Sequence, residues 1–256
     1  MIWRTIMKQI LIFALVLLLF AGCTVPVETA APTEQATVQI RPAETETVPV
    51  QAFLPATEVP TEPPEPADSD LVRVADYLPD IRQNLLYATQ ENFTGQRIYD
   101  FADAYLRYGT VKKLKAAYEE LAGQNLGILI WDGFRPLAAQ EKLWEICPDP
   151  AYVSHPLTGS RSHCRGSAID LTLVDLKSGR ELTMPTGFDD FSALADRDYS
   201  DCAPEAAANA QLLEEVMIRC GFKPYGAEWW HFSDTEDYPV EENFRPEQTV
   251  FDGGVG

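Results

Sequence analysis

Positive charge is scarce in this chain: 20 Lys and Arg stand against 39 Asp and Glu among 256 residues, a formal net charge of −19. Residues 24–70 hold 9 acidic groups and one basic, residues 1–23 hold two basic groups, and the rest carries 30 acidic against 17 basic, a net charge of −13. Such a field repels a phosphate backbone and offers no cluster of Lys or Arg for counterion release, which argues against nucleic acid as a partner. Long apolar runs are also missing: residues 10–20 make an uncharged run of only eleven, too short to cross a bilayer as a helix. Histidine is scarcer still, with three in the whole chain, so imidazole chemistry has few candidates. With 46% hydrophobic and 23% charged positions, collagen, a fully disordered chain and a multi-pass membrane protein are excluded, and one or two globular domains remain.

What is present begins with an export signal. Arg4 and Lys8 precede the apolar run, which ends in Leu19-Phe20-Ala21-Gly22-Cys23. That ending resembles a bacterial lipoprotein box, where the cysteine thiol is lipidated and becomes the new N-terminus, with Phe20 standing where Leu or Val is more usual. The alternative is an ordinary cleaved signal, and either one takes the protein out of the cytoplasm. The lipid on Cys23 would be its only hold on the membrane. Residues 24–70 then turn to Pro, Thr, Glu, Ala and Val, with nine prolines and almost no large apolar side chain besides Phe53 and Leu54. They cannot bury enough surface to offset their ordering entropy, so the segment reads as a disordered tether. Nothing here fixes an oligomeric state.

Residues 71–256 suffice for one domain with a single core. Leu114, Ala117, Tyr118 and Leu121 recur at helical spacing, which predicts a helix over about 101–122. The apolar run 126–131, bounded by Asp132-Gly133, predicts a buried strand, and Pro136 opens a second helix toward Trp144. Residues 167–175 alternate, with Ala168, Asp170 and Thr172 on one face and Ile169, Leu171 and Leu173 on the other. Leu212, Leu213, Val216, Met217 and Cys220 stripe a last helix stopped by Gly221, and 229–232 reads as a final aromatic strand. Strands scattered between helices, without regular alternation, predict an α+β domain.

Two of the three histidines sit near carboxylates. Asp170 lies on the polar face of an otherwise apolar strand, where a carboxylate needs a cation or a hydrogen-bonding partner, and Gly166 lets the chain bend so that His163 approaches it. His231 projects from the aromatic strand with Glu228 at its entrance. Hydrolytic zinc takes three N or O ligands and leaves a position for water, a count that His163, Asp170 and His231 meet, with Glu228 left over as a base. From spacing alone, an Asp-capped turn and a core histidine remain an alternative source of either half.

The pattern His163-x-x-Gly-x-Ala-x-Asp170 followed by Glu228-x-Trp-His231 resembles the signature of the zinc D,D-peptidases. Longer strings narrow the resemblance to the D-alanyl-D-alanine dipeptidases of the VanX type. They are Tyr87-Ala-Thr, Asn92-Phe-Thr-Gly95, Trp131-Asp-Gly-Phe-Arg-Pro136, Cys147-Pro-Asp-Pro150, Arg165-Gly-Ser-Ala-Ile-Asp-Leu-Thr-Leu173, Gly187-Phe-Asp189 and Glu228-Trp-Trp-His-Phe232, in the family's order. The resemblance implies a single zinc peptidase domain with a central, mainly antiparallel sheet flanked by helices. It implies one Zn2+ held by His163, Asp170 and His231, with Glu228 as general base and Arg135 stabilising the oxyanion. Tyr87 and Asp189 fall where the family holds the free ammonium of a small D,D-dipeptide. Their alternatives are a core tyrosine and a turn aspartate. The family's usual Ser two places before the first zinc histidine is Arg161 here, with Ser162 next to His163.

The implied activity is hydrolysis of D-alanyl-D-alanine outside the membrane, in turnover of wall-derived peptide. A D,D-carboxypeptidase acting on longer stem peptides, or a wall-binding lipoprotein without catalysis, are the alternatives. If Tyr87 and Asp189 lay far from the metal, the length limit of a dipeptidase would disappear. His155 reads as an exposed loop residue, Cys164 as structural, and Trp229 and Trp230 as one pocket wall and one core residue. Outside the cytoplasm, Cys147, Cys164, Cys202 and Cys220 have three full pairings open to them.

Overall fold

Alternating and helical apolar patterns divide residues 64–251, the part of the chain that this computed structural model describes, into seven strands and three helices. In chain order they are β1 (Leu71–Arg73), β2 (Arg82–Gln83), β3 (Tyr105–Arg107), α1 (Tyr108–Ala122), β4 (Leu126–Asp132) and α2 (Leu137–Ile146). They continue as β5 (Ala168–Asp175), α3 (Pro204–Arg219), β6 (Phe222–Tyr225) and β7 (Glu228–Asp234). The export signal, Cys23 and most of the tether lie outside the described residues. Among those described, no helix is long and apolar enough to cross a membrane.

Five strands form one sheet in the order β2-β4-β5-β7-β6, antiparallel except for the β2–β4 pair, and β1 pairs antiparallel with β3 in a small second sheet. The α+β class and the mainly antiparallel sheet are as expected. β4 and β5 are buried on both faces, which their near-continuous apolar sequences dictate. Helices α1 and α3 lie against each other and against the sheet. α1 points Val111, Leu114, Ala117 and Leu121 inward at three- and four-residue spacing, and α3 does the same with Leu213, Val216 and Met217. Pro204 starts α3 at a position where its missing N–H costs nothing, and Gly221, at φ 92°, ends it in the left-handed conformation that suits glycine.

The first helix starts later than its sequence predicts. Residues 105–107 are strand β3, and α1 begins only at Tyr108. The reason is Arg107, which is 5% exposed: its guanidinium donates to the carbonyls of Ser69 at 2.6 Å, Arg165 at 2.7 Å and Pro239 at 3.1 Å. Those long-range bonds and the pairing with β1 outweigh helical propensity, a tertiary effect that periodicity cannot register. The tether also ends earlier than its composition suggests. The Tyr108 amide donates to the Asp70 carbonyl at 2.8 Å, the Gly109 amide to Asp68 at 3.0 Å, and Lys112 pairs with the Asp68 carboxylate at 2.6 Å. Residues 68–70 therefore belong to the domain, where they satisfy otherwise orphaned amides of the first turn of α1.

Arg107→Ala strands three backbone carbonyls, and we expect it to lower the unfolding free energy by about 3 kcal/mol in urea denaturation. A loss below about 0.5 kcal/mol would mean that water replaces the guanidinium without cost.

Candidate metal centre

The sheet register builds the site. Asp132 on β4 pairs with Asp170 on β5, and Asp170 pairs with His231 on β7, so two carboxylates and an imidazole stand abreast on three adjacent strands. His163 arrives from a 3-10 turn (His163–Arg165) that Gly166 ends at φ 71°. A side chain on Gly166 would collide with Leu71, so the turn that brings His163 back over β5 depends on glycine for both conformation and space.

Three side chains converge there. His163 Nε2 lies 3.1 Å from His231 Nδ1 and 3.2 Å from Asp170 Oδ2, and His231 Nδ1 lies 2.9 Å from Asp170 Oδ1. Each imidazole is held through its other nitrogen: His163 Nδ1 donates to the Gly133 carbonyl at 2.8 Å, and His231 Nε2 meets Ser233 Oγ at 3.2 Å. A carbonyl only accepts, so neutral His163 presents a lone pair at Nε2. His163 Nε2 and the Asp170 carboxylate are buried acceptors facing each other beside His231 Nδ1, and this set of two N and one O fits a divalent metal that would relieve their repulsion. Without a metal, a proton takes that part. Burial opposes charge on His163, yet Asp170 and Asp132 outweigh it and raise its pKa. Burial opposes charge on Asp170 too, but the two imidazoles hold it far below the usual carboxylate range.

All seven residues singled out in the sequence line one cavity of about 430 Å³. Glu228, at the start of β7, has a carboxylate oxygen 3.9 Å from His231 Nδ1. Its pKa is pushed up to about 7, by burial first and by Asp170 and Asp189 against the two imidazoles, which poises it to exchange a proton near neutrality. Tyr87 donates its hydroxyl to Asp189 Oδ2 at 2.7 Å. Burial drives Asp189 up to about 7, and the residue sits at φ 54°, a left-handed conformation that aspartate adopts at a cost. Tyr87 belongs to the buried core and Asp189 lies in a turn, and both also line the cavity. Arg135 is 9% exposed and paired with Asp132 at 2.7 Å, and its Nη1 donates to Gln140 Oε1 at 2.9 Å. Its Nε also reaches Asp132 Oδ2 and the Tyr99 hydroxyl, so two of its five N–H groups, one on each η nitrogen, remain for the cavity.

Sequence reasoning missed the residues behind these. Fully buried Asp132 accepts from Arg135, from the Tyr99 hydroxyl at 2.8 Å and from the Gly133 amide at 2.9 Å. Its position three residues before Arg135, in a single string, was the available signal. Arg197 had none. Its Nη2 donates to the carbonyls of both Glu228 and His231 at 3.0 Å, its Nε donates to Tyr225 O at 2.8 Å, and its Nη1 pairs with Glu214 at 2.9 Å. One guanidinium thus ties the β6–β7 turn together on either side of the metal cluster.

Other expectations need correction. Trp229 and Trp230 are both fully buried and neither reaches the cavity; Trp229 packs on Trp131 and Trp230 on Phe188. β7 is an interior strand covered on both faces, so its alternation exposes neither indole. His155 is half-buried and lines the cavity, with Nδ1 accepting from the amides of Leu157 and Thr158, and it stays out of the metal cluster. Cys164, as expected, is structural: it is fully buried in the 3-10 turn, and burial pushes its thiol up to about 11, leaving it inert. The thiols of Cys147, Cys164, Cys202 and Cys220 are all free.

Two imidazoles and a carboxylate able to take a cation, with a carboxyl beside them whose pKa is raised to about 7, form the arrangement of a metal-dependent hydrolase. The model of the D-ala-D-ala dipeptidase family matches residues 67–249. A D-alanyl-D-alanine dipeptidase of Escherichia coli is 37% identical over 174 residues, which cover 67% of this chain and 89% of that protein. One from Streptomyces coelicolor is 32% identical over 191 residues (66% and 93%), and one from Enterococcus faecium 31% over 179 (62% and 89%). The chain belongs to the D-Ala-D-Ala dipeptidase family.

Gly166→Ala forces a strained φ and displaces Leu71, and we expect about 1–3 kcal/mol of lost stability together with weaker metal binding by calorimetry. Unchanged metal affinity would show that the turn does not set the position of His163. In the metal-free protein, Asp189 and Glu228 keep protons that the unfolded chain releases above about pH 4, so their stabilising effect is lost as pH rises through about 7. Urea midpoints with chelator should fall between pH 5 and 8, and fall less when metal is present.

Proposed function

We propose that the chain is a zinc-dependent dipeptidase that hydrolyses D-alanyl-D-alanine to two D-alanines outside the cytoplasmic membrane, in turnover of cell-wall peptide. The observation that carries this reading is the pairing of Tyr87 with Asp189 in the same cavity as the metal cluster and Glu228. A carboxylate in the cavity that holds the metal cluster would bind a free substrate ammonium, and that contact would limit the substrate to a dipeptide. Tyr87 packs edge-on against Phe93 and Phe188, and Phe93 against Phe191, so the tyrosine is held rigidly from behind. A cavity near the small end of the usual ligand range, about 300–1,000 Å³, suits a substrate of this size.

Held by His163, Asp170 and His231, zinc supplies the Lewis acidity that makes hydrolysis feasible at neutral pH. The residues of the chain do the rest. Glu228, ionised above about pH 7 and more readily beside a cation, takes a proton from the attacking water and passes it to the leaving amine. Arg135 directs its two remaining N–H groups at the oxygen that gains charge as the carbonyl carbon becomes tetrahedral. Asp132, Gln140 and Tyr99 keep that guanidinium from turning, so its alignment costs nothing at the moment of reaction. Asp189, in turn, ionises when the substrate ammonium arrives. Export rests on Arg4, Lys8, the apolar run and Cys23; it places the enzyme where wall-derived dipeptide is released rather than where wall precursors are assembled.

Glu228→Gln should lower kcat by about 10²- to 10⁴-fold while leaving the zinc content of the purified protein unchanged. D-Ala-D-Ala should be cleaved and a stem pentapeptide left intact; chelator should abolish turnover and added zinc restore it. Comparable cleavage of the pentapeptide would make the enzyme a D,D-carboxypeptidase, and inactivity on both would leave a binding lipoprotein. Membrane-fraction protein should begin at a modified Cys23 by mass spectrometry, whereas unprocessed cytosolic protein would overturn the export assignment.

A further inference from the structure

Behind the cavity lies a cluster of rings whose members stand next in sequence to the groups of the site. Trp131 precedes Asp132, Phe188 precedes Asp189 and Trp229 follows Glu228. Phe188 packs against Tyr87, Trp131 and Trp230 with ring centres 5.7, 5.6 and 6.1 Å away, and Trp131 packs against Trp229 at 5.6 Å. Burial of apolar surface is non-directional, so these contacts alone do not fix the segment that carries Asp189. A directional bond does. Fully buried Trp229 donates its indole Nε1 to Thr186 Oγ1 at 2.9 Å, and the Thr186 hydroxyl in turn donates to the Gly187 carbonyl at 3.0 Å. The indole thus joins β7, one residue after Glu228, to the chain that leads into Asp189. Further back, Asn209 of α3 donates to the Thr183 carbonyl at 2.9 Å.

Asp189 holds φ at 54° and accepts the Tyr87 hydroxyl at 2.7 Å. A strained non-glycine residue keeps such a conformation only where its surroundings over-determine it. Here Tyr87 holds the side chain, while Thr186 and Phe188 hold the backbone before it. We propose that Trp229 is a positioning residue for recognition of the substrate's amino terminus, its indole N–H fixing, through Thr186, the turn that presents Asp189 to the cavity. This rests on the dipeptidase reading above, in which Asp189 receives the free ammonium. Without the bond the turn relaxes and the carboxylate is no longer aimed at the ammonium, whereas a ligand that lacks the ammonium binds as before.

The test measures dissociation constants by calorimetry for D-Ala-D-Ala and for N-propionyl-D-alanine, the same molecule with hydrogen in place of the ammonium. The reference is zinc-loaded Glu228→Gln, which binds the dipeptide without consuming it, and every further variant is made in it. The reference should prefer the dipeptide by about ten- to a hundredfold. Thr186→Val removes the acceptor at nearly equal volume and should cut that preference about three- to tenfold, with the change confined to the dipeptide. Trp229→Phe removes the donor and should do the same; should it melt far below the reference, the Thr186 variants decide. Thr186→Ser retains the acceptor and should retain the preference. Asp189→Asn should abolish the preference, and adding Thr186→Val to it should change nothing further. A merely structural role would weaken both ligands alike and leave their ratio intact. An unchanged ratio in Thr186→Val, an equal loss in Thr186→Ser, or equal binding of the two ligands to the reference overturns the assignment. If the wild type hydrolyses no D,D-dipeptide, the proposed function fails and the same dissociation constants still decide Trp229. No binding of the dipeptide to the reference overturns it.

Discussion

Three electron-pair donors, two imidazole nitrogens and a carboxylate, face one another across about 3 Å inside the protein. Such an arrangement is costly without a cation, because each group has given up water and His163 Nε2 has no proton to offer the Asp170 carboxylate unless the ring becomes charged. Much of the surrounding structure serves to enforce this convergence. The strand register aligns Asp170 with His231, the glycine-ended turn swings His163 over them, the Gly133 carbonyl fixes which nitrogen His163 presents, and Ser233 holds the outer edge of the His231 ring. Metal affinity is then paid for in folding, since the free energy that holds the acceptors together is recovered when a cation arrives.

A second constraint separates the carboxylates by role. Asp132 is fully buried but surrounded by donors, Asp170 sits between two imidazoles, and Asp189 and Glu228 are buried with less compensation, so both hold protons near pH 7. Asp170, Asp189 and Glu228 thus acquire different charge states from their surroundings. Asp132 braces Arg135, and in the proposed reaction Asp170 would bind metal, Asp189 would receive the substrate ammonium and Glu228 would move protons.

Residues whose chemistry depends on local spacing were legible in the sequence. The apolar strand interrupted by Asp170, the glycine before it, and Glu228 three residues from His231 signal a metal site from position and type. The helical stripes and the buried run of β4 were legible for the same reason, since burial follows period. What spacing could not reveal was anything decided by partners distant in the chain. Arg107 is drawn out of the predicted helix by carbonyls from residues 69, 165 and 239, and Arg197 bonds three carbonyls some thirty residues away. Both are arginines whose targets are backbone oxygens, which carry no residue signature. The assignment of one tryptophan to the cavity failed because β7 lies inside the sheet, where period-two alternation separates two interiors instead of interior from solvent.

The Arg197 clamp has a mechanical consequence. By gripping the main chain at Glu228 and at His231, it makes the proposed base and a proposed metal ligand parts of one braced hairpin. The spacing of those two side chains is thereby set by a clamp from a distant segment as well as by the stretch of β7 that joins them.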